Sequence, residues 1–79
     1  MGKIHKISGK EIVNLLVKQG FIIKRQKGSH VTLYKVSSVG KGLYVTVPVH
    51  GNKELFPKTL QSILRQADLS RDEFVNMVT

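Results

Sequence analysis

Few side chains in this sequence can move a proton near neutral pH. There are three histidines, five acidic residues and no cysteine. The stretch Gln26-Lys27-Gly28-Ser29-His30-Val31-Thr32-Leu33-Tyr34 sets His30 between a basic, glycine-containing turn and a run that alternates polar with apolar residues. An ordinary imidazole titrates near pH 6.5, so it can accept or donate a proton at physiological pH. Lys24, Arg25 and Lys27 come just before it and would draw a phosphate toward it. His50 is the second candidate. Two histidines at one phosphate can divide the work, one taking a proton and the other giving one. The plainer alternatives are a strand-edge histidine making a surface hydrogen bond for His30, and a turn histidine for His50.

Which reading holds depends on the elements that position these residues. His30 to Tyr34 alternates at period 2, as does Leu43 to Val47, and the two runs are joined by a Gly-, Ser- and Lys-rich connection over 35–42. Val31, Leu33, Leu43, Val45 and Val47 are therefore expected to face a core. His30, Thr32, Tyr34, Tyr44 and Thr46 would share the other face. A hairpin centred on Val39 pairs residues whose numbers sum to 78, which sets Tyr34 opposite Tyr44, Thr32 opposite Thr46 and His30 opposite Pro48. His50 then falls diagonally across from His30, and diagonal neighbours lie about 7–8 Å apart. Tyr34 and Tyr44 on such a face can stack on bases, or can simply cover the sheet as a cross-strand pair.

The remaining segments supply the packing. Ser8-Gly9-Lys10-Glu11 has the form of a capping box, and Ile12, Val13, Leu15 and Leu16 follow with helical spacing, which predicts a helix over 9–19 ended by Gly20. Residues 21–26 read as a first strand and Lys27-Gly28-Ser29 as a turn. Pro57 suits the first position of a second helix, with Leu60, Ile63 and Leu64 as its apolar stripe to about Gln66. Ser70 to Glu73 is a second capping box opening a short helix that packs through Phe74 and Met77. Phe21 and Phe56 are also expected in or near the core. The predicted class is α+β, in the order α-β-β-β-α-α, with a three-stranded antiparallel sheet and helices on one face.

Seventy-nine residues suit one domain, 1–79, with one modest core. A chain of that size buries only about 60% of its unfolded surface, so an open surface site is expected. Thirteen basic residues against five acidic give a net charge of +8. The excess is uneven: residues 1–53 hold ten basic side chains and one acid, for +9, while residues 54–79 hold three and four, for −1. Such a basic body points to a polyanion. No helix pairs a basic face with a large apolar one, which disfavours a membrane surface. No apolar run approaches the roughly 18 residues of a span, and the absence of cysteine suits a reducing cytoplasm. No cofactor is expected. His5, His30 and His50 are far apart in sequence, with Glu11 and Glu54 as their only plausible carboxylate company, so a metal nuclease lacks ligands. No serine has a G-x-S-x-G setting, and Gly40-Lys41-Gly42 is too short for a phosphate loop.

Four segments carry a resemblance: SGKEIVNLLVKQGF (8–21), RQKGSHVTLYK (25–35), VTVPVHGNKEL (45–55) and TLQSILRQADLSRDEF (59–74). In order and spacing they resemble the HicA toxins of bacterial and archaeal toxin–antitoxin pairs, over nearly the whole chain. The resemblance implies a fold like the double-stranded RNA-binding domain and an mRNA interferase that needs no ribosome. It also implies a HicB antitoxin as partner, and the histidine of the G-S-H segment, here His30, as the catalytic one. One departure is Pro57-Lys58, where such sequences often carry a glycine before the Thr-Leu pair.

Together these readings predict a metal-independent endoribonuclease acting on single-stranded RNA or mRNA, with His30 as general base and His50 as general acid. Lys24, Arg25, Lys27, Ser29, Tyr34 and Tyr44 form the expected RNA-contact set, and a HicB-like antitoxin is expected to cover the basic face. The alternative is a non-catalytic RNA-binding module of the double-stranded RNA-binding type.

Overall fold

The computed structural model describes residues 6–78, so His5 lies outside the described residues. The elements run α1 (Gly9–Lys18), β1 (Ile22–Lys27), β2 (His30–Val36), β3 (Gly42–Pro48), α2 (Pro57–Gln66) and α3 (Arg71–Val78). The three strands form one antiparallel sheet in the order β1-β2-β3. This is the predicted α+β arrangement.

Local chemistry sets each boundary. The Ser8 hydroxyl accepts from the Glu11 amide at 3.2 Å, and the Ser8 amide donates to the Glu11 carboxylate at 2.9 Å, completing the first capping box. Caps of this kind stabilise a helix by about 1 kcal/mol. At the other end Gly20 takes φ +102°. There the Phe21 amide donates to the Leu16 carbonyl and the Gly20 amide to that of Val17, the paired bonds of a Schellman motif. Phe21 turns inward from this cap and is buried, so β1 begins one residue later than its apolar run suggests. The second capping box also forms, with the Ser70 amide 2.7 Å from the Glu73 carboxylate. Pro57 occupies the first turn of α2, where its missing amide costs nothing.

The β2–β3 register is the predicted one: Tyr34 opposes Tyr44, Thr32 opposes Thr46 and His30 opposes Pro48. The hairpin loop is tighter than expected, because β2 runs on to Val36 and β3 starts at Gly42. Val31, Leu33, Val45 and Val47 are buried against Ile12 and Leu16 of α1 and against Leu60, Ile63 and Leu64 of α2, with Phe74 of α3 closing the core. Leu43 and Met77 are half-buried. The Gln66 side chain reaches from α2 to accept from the Thr46 amide at 3.0 Å, which ties the helix to β3.

One expected core residue is not there. Phe56 is 77% exposed. It is the N-cap of α2, with extended φ −67° and ψ 148°, so its side chain leaves the chain before the helical stripe begins. β1 is exposed along its whole length, and Ile22 and Ile23 lie largely open.

Candidate nucleic-acid interface

His30 owes its position to a two-residue turn. Gly28, at φ +59°, lets β1 reverse into β2, and the hairpin closes with Lys27 directly opposite His30. Directly opposed residues have Cβ atoms about 4.5–5.5 Å apart. On its other side His30 opposes Pro48, so the histidine sits in the middle of a three-strand row. Its neighbour Val31 points into the core, and alternation therefore turns His30 to the helix-free face, where it is exposed. Among the described residues no hydrogen bond engages its ring.

A feature not legible in the sequence assembles the cations. The β1–β2 register shifts between Ile23 and Arg25, leaving Lys24 as an extra, bulged residue. Strict alternation would send adjacent Lys24 and Arg25 to opposite faces. With the bulge, Ile22 opposes Tyr34, Arg25 opposes Thr32 and Lys27 opposes His30, all on the open face. Lys24 joins them, its Nζ 5.9 Å from the centroid of the Tyr34 ring. Bulges re-aim side chains in this way. No acidic residue lies between Glu11 and Glu54 in sequence, so no strand carries a carboxylate to neutralise these cations.

The tyrosines form the far end of the same face. The Tyr34 and Tyr44 rings are 4.7 Å apart between centroids and tilted by 49°. Tyr34 is half-buried by its neighbours and Tyr44 is open. A Cβ on Gly42 would stand only 3.1 Å from the Tyr34 ring, so glycine there makes room for it. The two rings lie as a cross-strand pair on the sheet, with Tyr44 59% exposed.

Ser29 and His50 stand differently. The Ser29 carbonyl accepts from the Val49 amide, which carries the β2–β3 register one pair past the named strand. His50 follows in a turn closed by a bond from the Lys53 amide to the His50 carbonyl, at 3.0 Å. The backbone thus keeps the diagonal relation to His30 as far as Val49. Among the described residues no hydrogen bond joins the two imidazoles. His50 lines a groove of about 830 Å³ with Pro48, Lys53, Leu55 and Phe56.

An exposed imidazole flanked by lysine can exchange a proton beside a phosphate held by that lysine and its neighbours. Among the described residues no group of three or more His, Cys, Asp or Glu side chains gathers to hold a metal ion. No helix among them is long and apolar enough to cross a membrane. Residues 9–69, from the start of α1 through all of the sheet and α2, match the family model described as the HicA toxin of bacterial toxin–antitoxin systems. No curated protein matches the chain.

Proposed function

Because the chain belongs to the HicA toxin family, we propose that it is the RNA-cleaving member of its toxin–antitoxin pair, with His30 as general base and a HicB-like antitoxin as its restraint. The observation that carries this reading is the row Lys27–His30–Pro48: the imidazole is exposed on the open face, beside a lysine, at the end of a strand fixed by its buried neighbours.

That row and the residues around it support the following mechanism. Single-stranded RNA lies across the open face, its backbone held by Lys24, Arg25 and Lys27 and its bases stacked on the Tyr34–Tyr44 pair. Ser29, half-buried in the turn, adds a hydroxyl at the edge of this contact set. His30 takes the proton from a ribose 2′-hydroxyl. The 2′-oxygen attacks the adjacent phosphorus, and Lys27 stabilises the charge that builds on the non-bridging oxygens. The bond to the 5′-oxygen breaks, leaving a 2′,3′-cyclic phosphate, and the departing oxygen takes a proton from His50. Activation of water by the same base is the alternative chemistry. The antitoxin silences the protein by covering the basic face, reached quickly through electrostatic steering.

The test is cleavage of single-stranded RNA by the purified chain against His30→Ala. Loss of a well-placed base should lower the rate by about 10²–10⁴-fold. His30 is exposed, so the variant should keep its fold and most of its RNA affinity. A variant still cutting at more than about a tenth of the native rate removes His30 as the base. RNA binding by the native chain without cleavage would favour the non-catalytic module. In cells, growth should stop when the chain is made alone and recover when its antitoxin is made with it.

A further inference from the structure

Phe56 is unexplained by packing. It is the aromatic side chain with the greatest exposure among the large exposed hydrophobics, and it lines the groove that shares Pro48 with the His30 row. Resting on the ribonuclease reading, we infer that this groove seats a nucleobase of the RNA strand beside the scissile phosphate, stacked on Phe56.

Three observations converge on a base as occupant. First, Pro48 belongs both to the groove and to the row, where it opposes His30, so the groove adjoins the row over which the strand would run. Second, the lining of the groove combines the apolar Pro48, Leu55 and Phe56 with the polar His50, Lys53 and Thr59. That mixture suits a flat ring against the apolar side chains with its phosphate met by the polar ones. Third, Glu54 also lines the groove. A carboxylate repels a phosphate there but accepts a hydrogen bond from an exocyclic amino group, which favours the base over the backbone.

The backbone that carries the ring is fixed. Extended dihedrals at Phe56 and the fixed φ of Pro57 set the backbone on either side of it, and the Leu55 amide donates to the Ile7 carbonyl at 2.8 Å, anchoring the segment to the chain before α1. A fixed backbone leaves only the side-chain torsions to be ordered when a base stacks there.

The chain contains no tryptophan, so Phe56→Trp introduces a single reporter at the proposed seat. In a His30→Ala background the RNA stays intact, and a short dye-labelled single-stranded RNA of mixed sequence can be titrated. Tryptophan quenching and RNA anisotropy should follow one binding curve. Phe56→Ala should weaken binding roughly 5- to 150-fold, the usual range for loss of one base–aromatic stack, with Phe56→Tyr restoring most of it. In the active chain Phe56→Ala should also blur the position of cleavage. Anisotropy without quenching, together with unchanged affinity in Phe56→Ala, overturns the inference while leaving the ribonuclease reading standing. So does a Phe56→Ala variant that loses only antitoxin affinity, which would assign the ring to the protein partner. Absence of RNA binding by the His30→Ala chain in either signal overturns both.

Discussion

Gly9 tests how the fold holds His30 in place. It is the first residue of α1, is buried, and lies where that helix meets the end of β3. A Cβ built there would overlap the Pro48 carbonyl oxygen and stand 3.2 Å from the Val49 Cα. Both are backbone atoms, so no rotamer change relieves the clash. In Gly9→Ala either α1 lifts from the sheet or the Pro48–Val49 strand end moves. Overpacking a close contact costs typically 1–3 kcal/mol. Alanine's higher helix propensity offsets at most about 1 kcal/mol of that. The middle of the resulting range, a net loss of about 1–2 kcal/mol, would lower Tm by roughly 4–16 °C in a domain of this length. Thermal unfolding followed by circular dichroism measures the shift. The strand end that moves is the one opposite His30 and bonded to Ser29, so RNA cleavage by the folded fraction should fall as well. A variant as stable as the native chain, with unchanged cleavage, would show that the α1–β3 contact does not set the site.

Other outcomes follow from the same geometry. RNA affinity should fall with salt, and three cationic contacts to a single strand give a slope of log K against log salt of about −2; a slope near zero would mean that Lys24, Arg25 and Lys27 do not touch the backbone. Cleavage should persist in excess EDTA, because the chemistry assigned to His30 needs no metal; activity lost to chelator and restored by Mg²⁺ would refute that assignment. The Glu73 carboxyl is held below its ordinary value of 4.5 by the Ser70 backbone amide and then by the Ser70 hydroxyl. A folded-state value below the unfolded one stabilises α3 fully above the unfolded value, and the benefit is lost as pH falls through the folded one. An NMR titration of the Glu73 carboxyl should therefore have its midpoint below 4.5, and Ser70→Ala should raise it; a midpoint at or above 4.5 would refute the cap as its cause.

Much of the fold and part of the site are written in local pattern. Ser8, Glu11, Ser70 and Glu73 mark helix starts because their hydrogen bonds reach only three residues. The β2–β3 register was legible because period-2 alternation and a short loop leave few pairings that bury both apolar sets. That register alone places His30 on the open face, opposite Pro48. The bulge at Lys24 was not legible. It depends on how β1 fits a partner strand whose inward residues already have their places, and no residue type in Ile22-Ile23-Lys24-Arg25 announces it. Phe56 was misplaced for a related reason. Hydrophobicity argues for burial, but a residue that caps a helix lies outside the helix's apolar stripe, and the FP pair was the overlooked signal.

The sequence by itself determined the order of elements, the buried and open faces of the hairpin, and the place of His30 on the open face, because these follow from interactions between near neighbours. Tertiary structure decided that Lys24, Arg25 and Lys27 share the histidine's face, that Gly9 must be bare beneath Pro48, and that Phe56 stands open beside the row. Each of these is a meeting of segments distant along the chain, settled by how strands and helices pack and not by what any segment prefers alone.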